Sequence, residues 1–154
     1  MLRLLFGLLW LFFAGEGIPA APLDPHWSRI QALFPEADHL GMSYGPPSST
    51  QVLAGGRLLG HVFQTKDIVR IPAYSGLPIN LLVGVEANGR LRGVAILEHE
   101  EPILKVGVSE QDLQRFTAQY RGLMAGDDIR IGGRAEPGRP AIDGISSATI
   151  TAMV

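Results

Sequence analysis

Near the C-terminus the chain reads DGISSATIT, residues 143–151, where Ser146, Ser147 and Thr149 follow a carboxylate, Asp143. Hydroxyls in this density can serve as a nucleophile, as a helix cap, or as the point where a phosphate is esterified. The nucleophile is the easiest to test. Gly144-Ile145-Ser146-Ser147-Ala148 loosely imitates the G-x-S-x-G turn of serine hydrolases, in which the acid and then the histidine come later in the chain. No histidine follows Ser147, so that triad is not available. The other two uses stand side by side. Ser146 or Ser147 can cap a helix, with Thr149 in its first turn. The same helix start, with unpaired N–H groups and a partial positive charge, also suits a phosphate held as an ester on Thr149.

Other site chemistries find little support. The chain has no cysteine, which removes disulfides, thiolate zinc sites and cysteine nucleophiles. Its histidines, His26, His39, His61 and His99, show none of the close pairings that bring two imidazoles to one metal. Glu98, His99, Glu100 and Glu101 offer oxygen and nitrogen ligands, but neighbouring strand residues point to opposite faces, so a solvated hairpin end is their plain reading. We expect no metal site and assign no catalytic residue. The glycines fit neither a P-loop nor a dinucleotide fingerprint.

The elements that position these residues are partly legible. Residues 26–34 place Trp27, Ile30, Leu33 and Phe34 on one helical face, and Pro35 ends the run. Residues 35–50 read as loop, with Gly45-Pro46-Pro47 forbidding regular structure. Strands are expected at 51–54 and 58–65 around a Gly55-Gly56 turn. The clearest signal is PINLLVGVEANGRLRGVAILEHEE, apolar on both sides of Asn88-Gly89, a dipeptide favoured in two-residue type I′ hairpins. Counting outward from that turn sets Ile79 opposite Glu98, Pro78 opposite His99 and Gly76 opposite Glu101. The hairpin thus brings the loop Tyr74-Ser75-Gly76 alongside Glu98, His99 and Glu101, a rim where a site can form. Ser109 with Asp112 resembles a capping box for a helix carrying Leu113, Phe116 and Tyr120 toward the core. Another strand is expected at 127–131, followed by a Gly/Pro/Arg-rich loop. The fold class is α+β: a mostly antiparallel sheet with a central hairpin and flanking helices.

Length and composition set the frame. The 154 residues suit one domain, with 46% hydrophobic residues and a net charge of −2 that argues for neither nucleic acid nor an anionic surface. The first residues differ from the rest. Arg3 precedes an apolar run, residues 4–14, that Glu16 interrupts well short of the roughly 20 residues a bilayer span needs. A small, Pro-containing flank follows. Residues 1–21 read as a secretory signal peptide, the alternatives being a buried helix or a short anchor, and residues 22–154 as the exported domain.

Against this background, Asp143-Gly144-Ile145-Ser146-Ser147-Ala148-Thr149 resembles the flavinylation motif of periplasmic FMN-binding domains of the Rnf and Nqr complexes and the NosR/NirI proteins. The likeness to NosR/NirI extends over most of the mature chain, through FPEADHLG, VFQTKDIVRIPAYSGLPINLLVGV and LEHEEPILKVGV. The resemblance implies FMN bound covalently by a phosphoester to Thr149, installed by a flavin transferase that reads Asp143. It implies an attachment turn at Ser146, Ser147 and Ala148, and flavin-pocket walls at Tyr74, Ser75, Gly76, Glu98, His99 and Glu101. It further implies a periplasmic electron carrier tethered to the inner membrane as the N-terminal part of a longer protein, with membrane electron-transfer proteins or the nitrous-oxide reductase system as partners and no nucleic acid. Ser147 stands where the family motif has glycine, which favours the alternative of an unflavinylated regulatory or assembly module acting through protein contacts.

Overall fold

The computed structural model describes residues 24–145. The segment read as a signal peptide and the motif residues Ser146, Ser147, Ala148 and Thr149 lie outside the described residues.

The first helix forms as its spacing predicts: α1 (Trp27–Leu33) buries Ile30 and Leu33, and Phe34 behind it is fully buried. Residues 35–50 depart from the loop expectation. Here β1 (His39–Tyr44) pairs antiparallel with β2 (Ser49–Ala54). β1 is an edge strand with mostly exposed side chains and a register break between Leu40 and Ser43, so it carries no apolar alternation for a sequence reading to detect. Gly45-Pro46-Pro47 does lie outside regular structure, in the turn between them. Gly55 and Gly56, with φ of 55° and 78°, supply the tight turn from β2 into β3 (Arg57–Gln64). A short 3₁₀ turn, Thr65–Asp67, and a long loop lead to β4 (Asn80–Glu86) and β5 (Leu91–Glu98).

These strands form one antiparallel sheet in the order β1-β2-β3-β4-β5, the α+β architecture expected. The register counted out from Asn88-Gly89 holds from Leu81↔Ile96 to Gly84↔Gly93. The turn itself differs. Glu86 donates its N–H to the Arg90 carbonyl at 2.8 Å, and Gly89 alone in the turn has positive φ (83°), so the loop is three residues long rather than a type I′ pair. Asn88 uses Oδ1 to accept the Arg90 N–H (2.9 Å), a local bond that Asn makes readily. A bulge between Gly84 and Val85 absorbs the extra residue, and a second bulge sets Asn80, not Ile79, opposite Glu98.

Alternation along β4 divides the sheet into two faces. Leu82 and Gly84 meet α1, joining Ile30, Leu33, Phe34, Val52, Leu59 and Val62 in the main core. Arg92 latches that side: its guanidinium lies 5.5 Å over the Phe34 ring, donates to the Leu33 carbonyl (3.0 Å), and pairs with Glu86 (3.0 Å) and Glu36. The opposite face receives α2 (Pro102–Val106) and α3 (Glu110–Ala118), with Leu104 and Leu113 packed against Ile96. Ser109 and Asp112 form the expected capping box, and the Ser109 hydrogen bonds, with help from Arg115, hold the Asp112 carboxyl below its ordinary range. The strand expected at 127–131 shortens to β6 (Arg130–Ile131), which pairs in parallel with β7 (Ala141–Ile142) inside the segment read as loop. Two-residue strands leave no periodic trace.

Gln119, capping the C-terminus of α3, grips Asp143 on both sides: its Oε1 accepts the Asp143 N–H at 2.7 Å and its Nε2 donates to the Asp143 carbonyl at 3.0 Å. The chain therefore enters the hydroxyl-rich motif from a fixed point. Gln119→Leu removes both bonds and should speed amide hydrogen exchange at Asp143 about tenfold while global stability changes little. Close strand pairing gives a second expectation. A Cβ at Gly60 would collide with the Val85 carbonyl oxygen, whereas one at Gly126 meets nothing within 4 Å. Urea unfolding should show Gly60→Ala destabilised by about 1–3 kcal/mol and Gly126→Ala within about 0.5 kcal/mol of the parent.

Candidate functional site

The described residues do not completely fill the second face of the sheet. Leu81, Val83 and Val85 of β4, with Val94 and Ile96 of β5 and Phe63 of β3, floor a cavity of about 370 Å³. Its roof comes from Leu104 of α2, from Leu113, Phe116 and Thr117 of α3, and from Tyr120 just beyond. Val69, Ile71 and Ile79 close one side from the loop that precedes β4, and Ile145 closes the wall nearest the motif. Phe116 and Tyr120 meet edge to face, with ring centroids 5.8 Å apart and planes at 82°. Burial raises the Tyr120 pKa above its ordinary value, so its hydroxyl stays neutral across the physiological range.

Phe116 and Ile145 are shared with a second, polar cleft of about 510 Å³. Asp112, Arg115, Gln119 and Asp143 line it, together with the backbone of Gly107-Val108 and Gly144. Arg115 pairs with Asp112 across one turn of α3. The arrangement is amphipathic: an apolar slot with aromatic walls opens beside a polar approach, and the two meet where the chain enters the motif. The slot lies within the ~300–1,000 Å³ range of small-molecule sites. The slot suits a flat ring that is apolar on its faces, as in FMN, while the polar cleft carries two carboxylates, Asp112 and Asp143, against one guanidinium, Arg115.

The sequence-predicted site residues fall in several places. Asp143 is exposed and lines the polar cleft. The loop Tyr74-Ser75-Gly76 is brought onto the end of the β4–β5 hairpin, where the Ser75 N–H donates to Glu101 Oε1 at 2.8 Å and Gly76 turns the chain at φ 80°. Glu101 is fully buried there, although it is the last of a charged run. Tyr74 is 71% exposed and is no part of a core. Glu98 stays at the surface, 3.7 Å from Lys66, and neighbouring Glu100 pairs with Lys105 at 2.6 Å. His99 lines a separate cleft between α1 and α3. None of these hairpin-end residues is among the described lining of the apolar cavity.

The cavity walls were missed in the sequence, although a signal was present. LLVGV and GVAIL are nearly continuous apolar runs, the mark of strands covered on both faces rather than one.

Comparison with known proteins bears directly on this arrangement. The FMN-binding domain family matches residues 74–154, which take in the Tyr74 loop, the hairpin end, α3, both clefts' motif-side walls and the whole hydroxyl-rich segment. The chain is 36% identical over 147 residues to the "Regulatory protein NosR" of Pseudomonas aeruginosa, covering 96% of this chain and 20% of that protein. It is 30% identical to the "Regulatory protein NosR" of Stutzerimonas stutzeri (97% of this chain, 20% of that protein). To the "Protein NirI" of Paracoccus denitrificans it is 34% identical (99% and 22%). The chain spans about a fifth of the length of the curated relatives it matches. With an amphipathic pair of clefts at the motif and a family match across more than half its length, the chain belongs to the FMN-binding domain family, in the form found in NosR and NirI proteins.

Proposed function

We propose that this chain is an exported electron-transfer domain that carries FMN esterified through its phosphate to the Thr149 hydroxyl. The observation that supports this reading most is the meeting of the apolar cavity and the polar cleft at Ile145. Thr149 follows four residues later, and four residues of chain span at most about 14 Å in any conformation. A phosphate tethered there is within reach of the polar cleft, and a ring attached to it within reach of the cavity.

In this reading Leu81, Val83, Val85, Phe116 and Tyr120 exclude water from the ring, and Arg115 faces the phosphate end. Ser146, Ser147 and Ala148 form the attachment turn, while Asp143, fixed by Gln119 and exposed, is the acid that a flavin transferase reads. The loop Tyr74-Ser75-Gly76, held by buried Glu101, forms the outer rim. Bound FMN supplies reversible one- and two-electron chemistry, and the protein sets its position and surroundings. A covalent link suits a carrier outside the cytoplasm, where a dissociated flavin would be lost. The domain is periplasmic, tethered to the inner membrane through the remainder of a longer protein, and exchanges electrons with membrane partners or the nitrous-oxide reductase system.

Co-expression with an exported flavin transferase, followed by a denaturing gel viewed for flavin fluorescence, tests the tether. The parent chain should fluoresce and Thr149→Val should be dark yet folded by circular dichroism. A fluorescent Thr149→Val band rejects Thr149 as the tether, and a dark parent favours the unflavinylated regulatory module. Ser147→Gly, which removes a Cβ from the attachment turn, should raise the modified fraction in the same assay.

A further inference from the structure

β5 is the outer strand of the five-stranded sheet. Its beginning is covered: Leu91 exchanges backbone hydrogen bonds with Gly122 and Leu123 (2.8 and 2.7 Å), and the Arg92 carbonyl accepts from Arg121 Nε (3.1 Å). From Gly93 to Leu97, no hydrogen bond reaches the outward backbone edge among the described residues. The stretch GVAIL holds no proline and no charge, the devices that usually blunt an edge strand. The opposite edge, β1, is protected by a register break and a Gly-Pro-Pro turn.

The open part of β5 does not face bulk solvent evenly. It floors a cleft of about 610 Å³, walled by Arg29, Ala32 and Leu33 of α1 on one side and by Gln114, Thr117 and Arg121 on the other. At one end His99 contributes a buried Nδ1 with no hydrogen-bond partner among the described residues. Arg92 is committed to Glu36 and Glu86. Arg29 and Arg121 have no carboxylate partner among the described residues, against a single acid in the lining, Glu110, which accepts from Gln114.

We propose that this cleft receives an extended acidic segment of a partner protein, which adds a sixth strand along Gly93–Leu97. Strand addition supplies main-chain hydrogen bonds for affinity and side-chain pockets for selectivity. Successive side chains of the added strand point alternately toward α1 and α3. Carboxylates an odd number of residues apart therefore meet Arg29 on one wall and Arg121 on the other. A second copy of this chain fits less well, because its β5 edge carries its own α1 and α3 and the cleft is recessed between those helices.

The test uses the full chain and a labelled peptide of about eight residues, rich in valine and threonine, with an adjacent Glu-Asp pair. Fluorescence anisotropy should show binding, and hydrogen exchange should show new protection at amides of residues 93–97. A peptide of the same sequence N-methylated at alternate residues should not bind. Arg29→Glu, a change on the exposed face of α1, should weaken the parent peptide about tenfold. No binding of the parent peptide up to about 1 mM, equal binding of the N-methylated peptide, or an unaffected Arg29→Glu variant would each overturn the proposal. Concentration-dependent dimerisation that protects residues 93–97 without peptide would assign the edge to a second copy and overturn it as well.

Discussion

Strand β4 carries apolar residues that need cover on both of its faces, and the site follows from that constraint. Leu82 and Gly84 are consumed by the packing of α1, where a Cβ on Gly84 would come within 2.8 Å of the Phe34 ring. Leu81, Val83 and Val85 must then be covered from the other side. The cover is α3, with only the short α2 beside it. A helix of this length cannot blanket five strands, so an apolar volume remains between it and the sheet. Membership in the FMN-binding domain family names a cofactor with a flat, apolar-faced ring, and the proposed function puts that ring in this volume.

Two polar devices hold that volume in register. Arg92 ties α1 to the hairpin through an aromatic face, a carbonyl and two carboxylates. Gln119 ties the end of α3 to Asp143 and so fixes where the motif departs from the cavity wall. Buried Glu101 performs a similar task at the far end, receiving the Ser75 N–H and holding the Tyr74 loop against the sheet. Of these three groups Glu101 alone is fully buried, and the N–H it accepts helps meet the condition for burying a polar group.

What the sequence revealed was local. The β4–β5 register could be counted because a turn dipeptide lay between two apolar runs, and the start of α3 because Ser109 and Asp112 sit at capping distance. The turn type was misjudged because Asn88 has two competing uses, positive φ or a side-chain bond to Arg90, and the second won. β1 was missed because an exposed edge strand with a broken register shows no apolar alternation, and β7 because its partner β6 lies across a loop and two residues leave no period in the chain. The burial of Glu101 could not be read from a run of acids. One partner it meets is the Ser75 backbone N–H, which no side-chain pattern reports. The cavity depended on where α3 settles, a tertiary outcome, although the unbroken apolar runs of β4 and β5 already demanded cover on both faces.

The most direct measurement is tandem mass spectrometry on the C-terminal proteolytic fragment of the chain matured with its flavin transferase. The account predicts an added mass of FMN less one water, stable to denaturation and localised to Thr149. An increment on another residue, or a flavin released on denaturation, would contradict it.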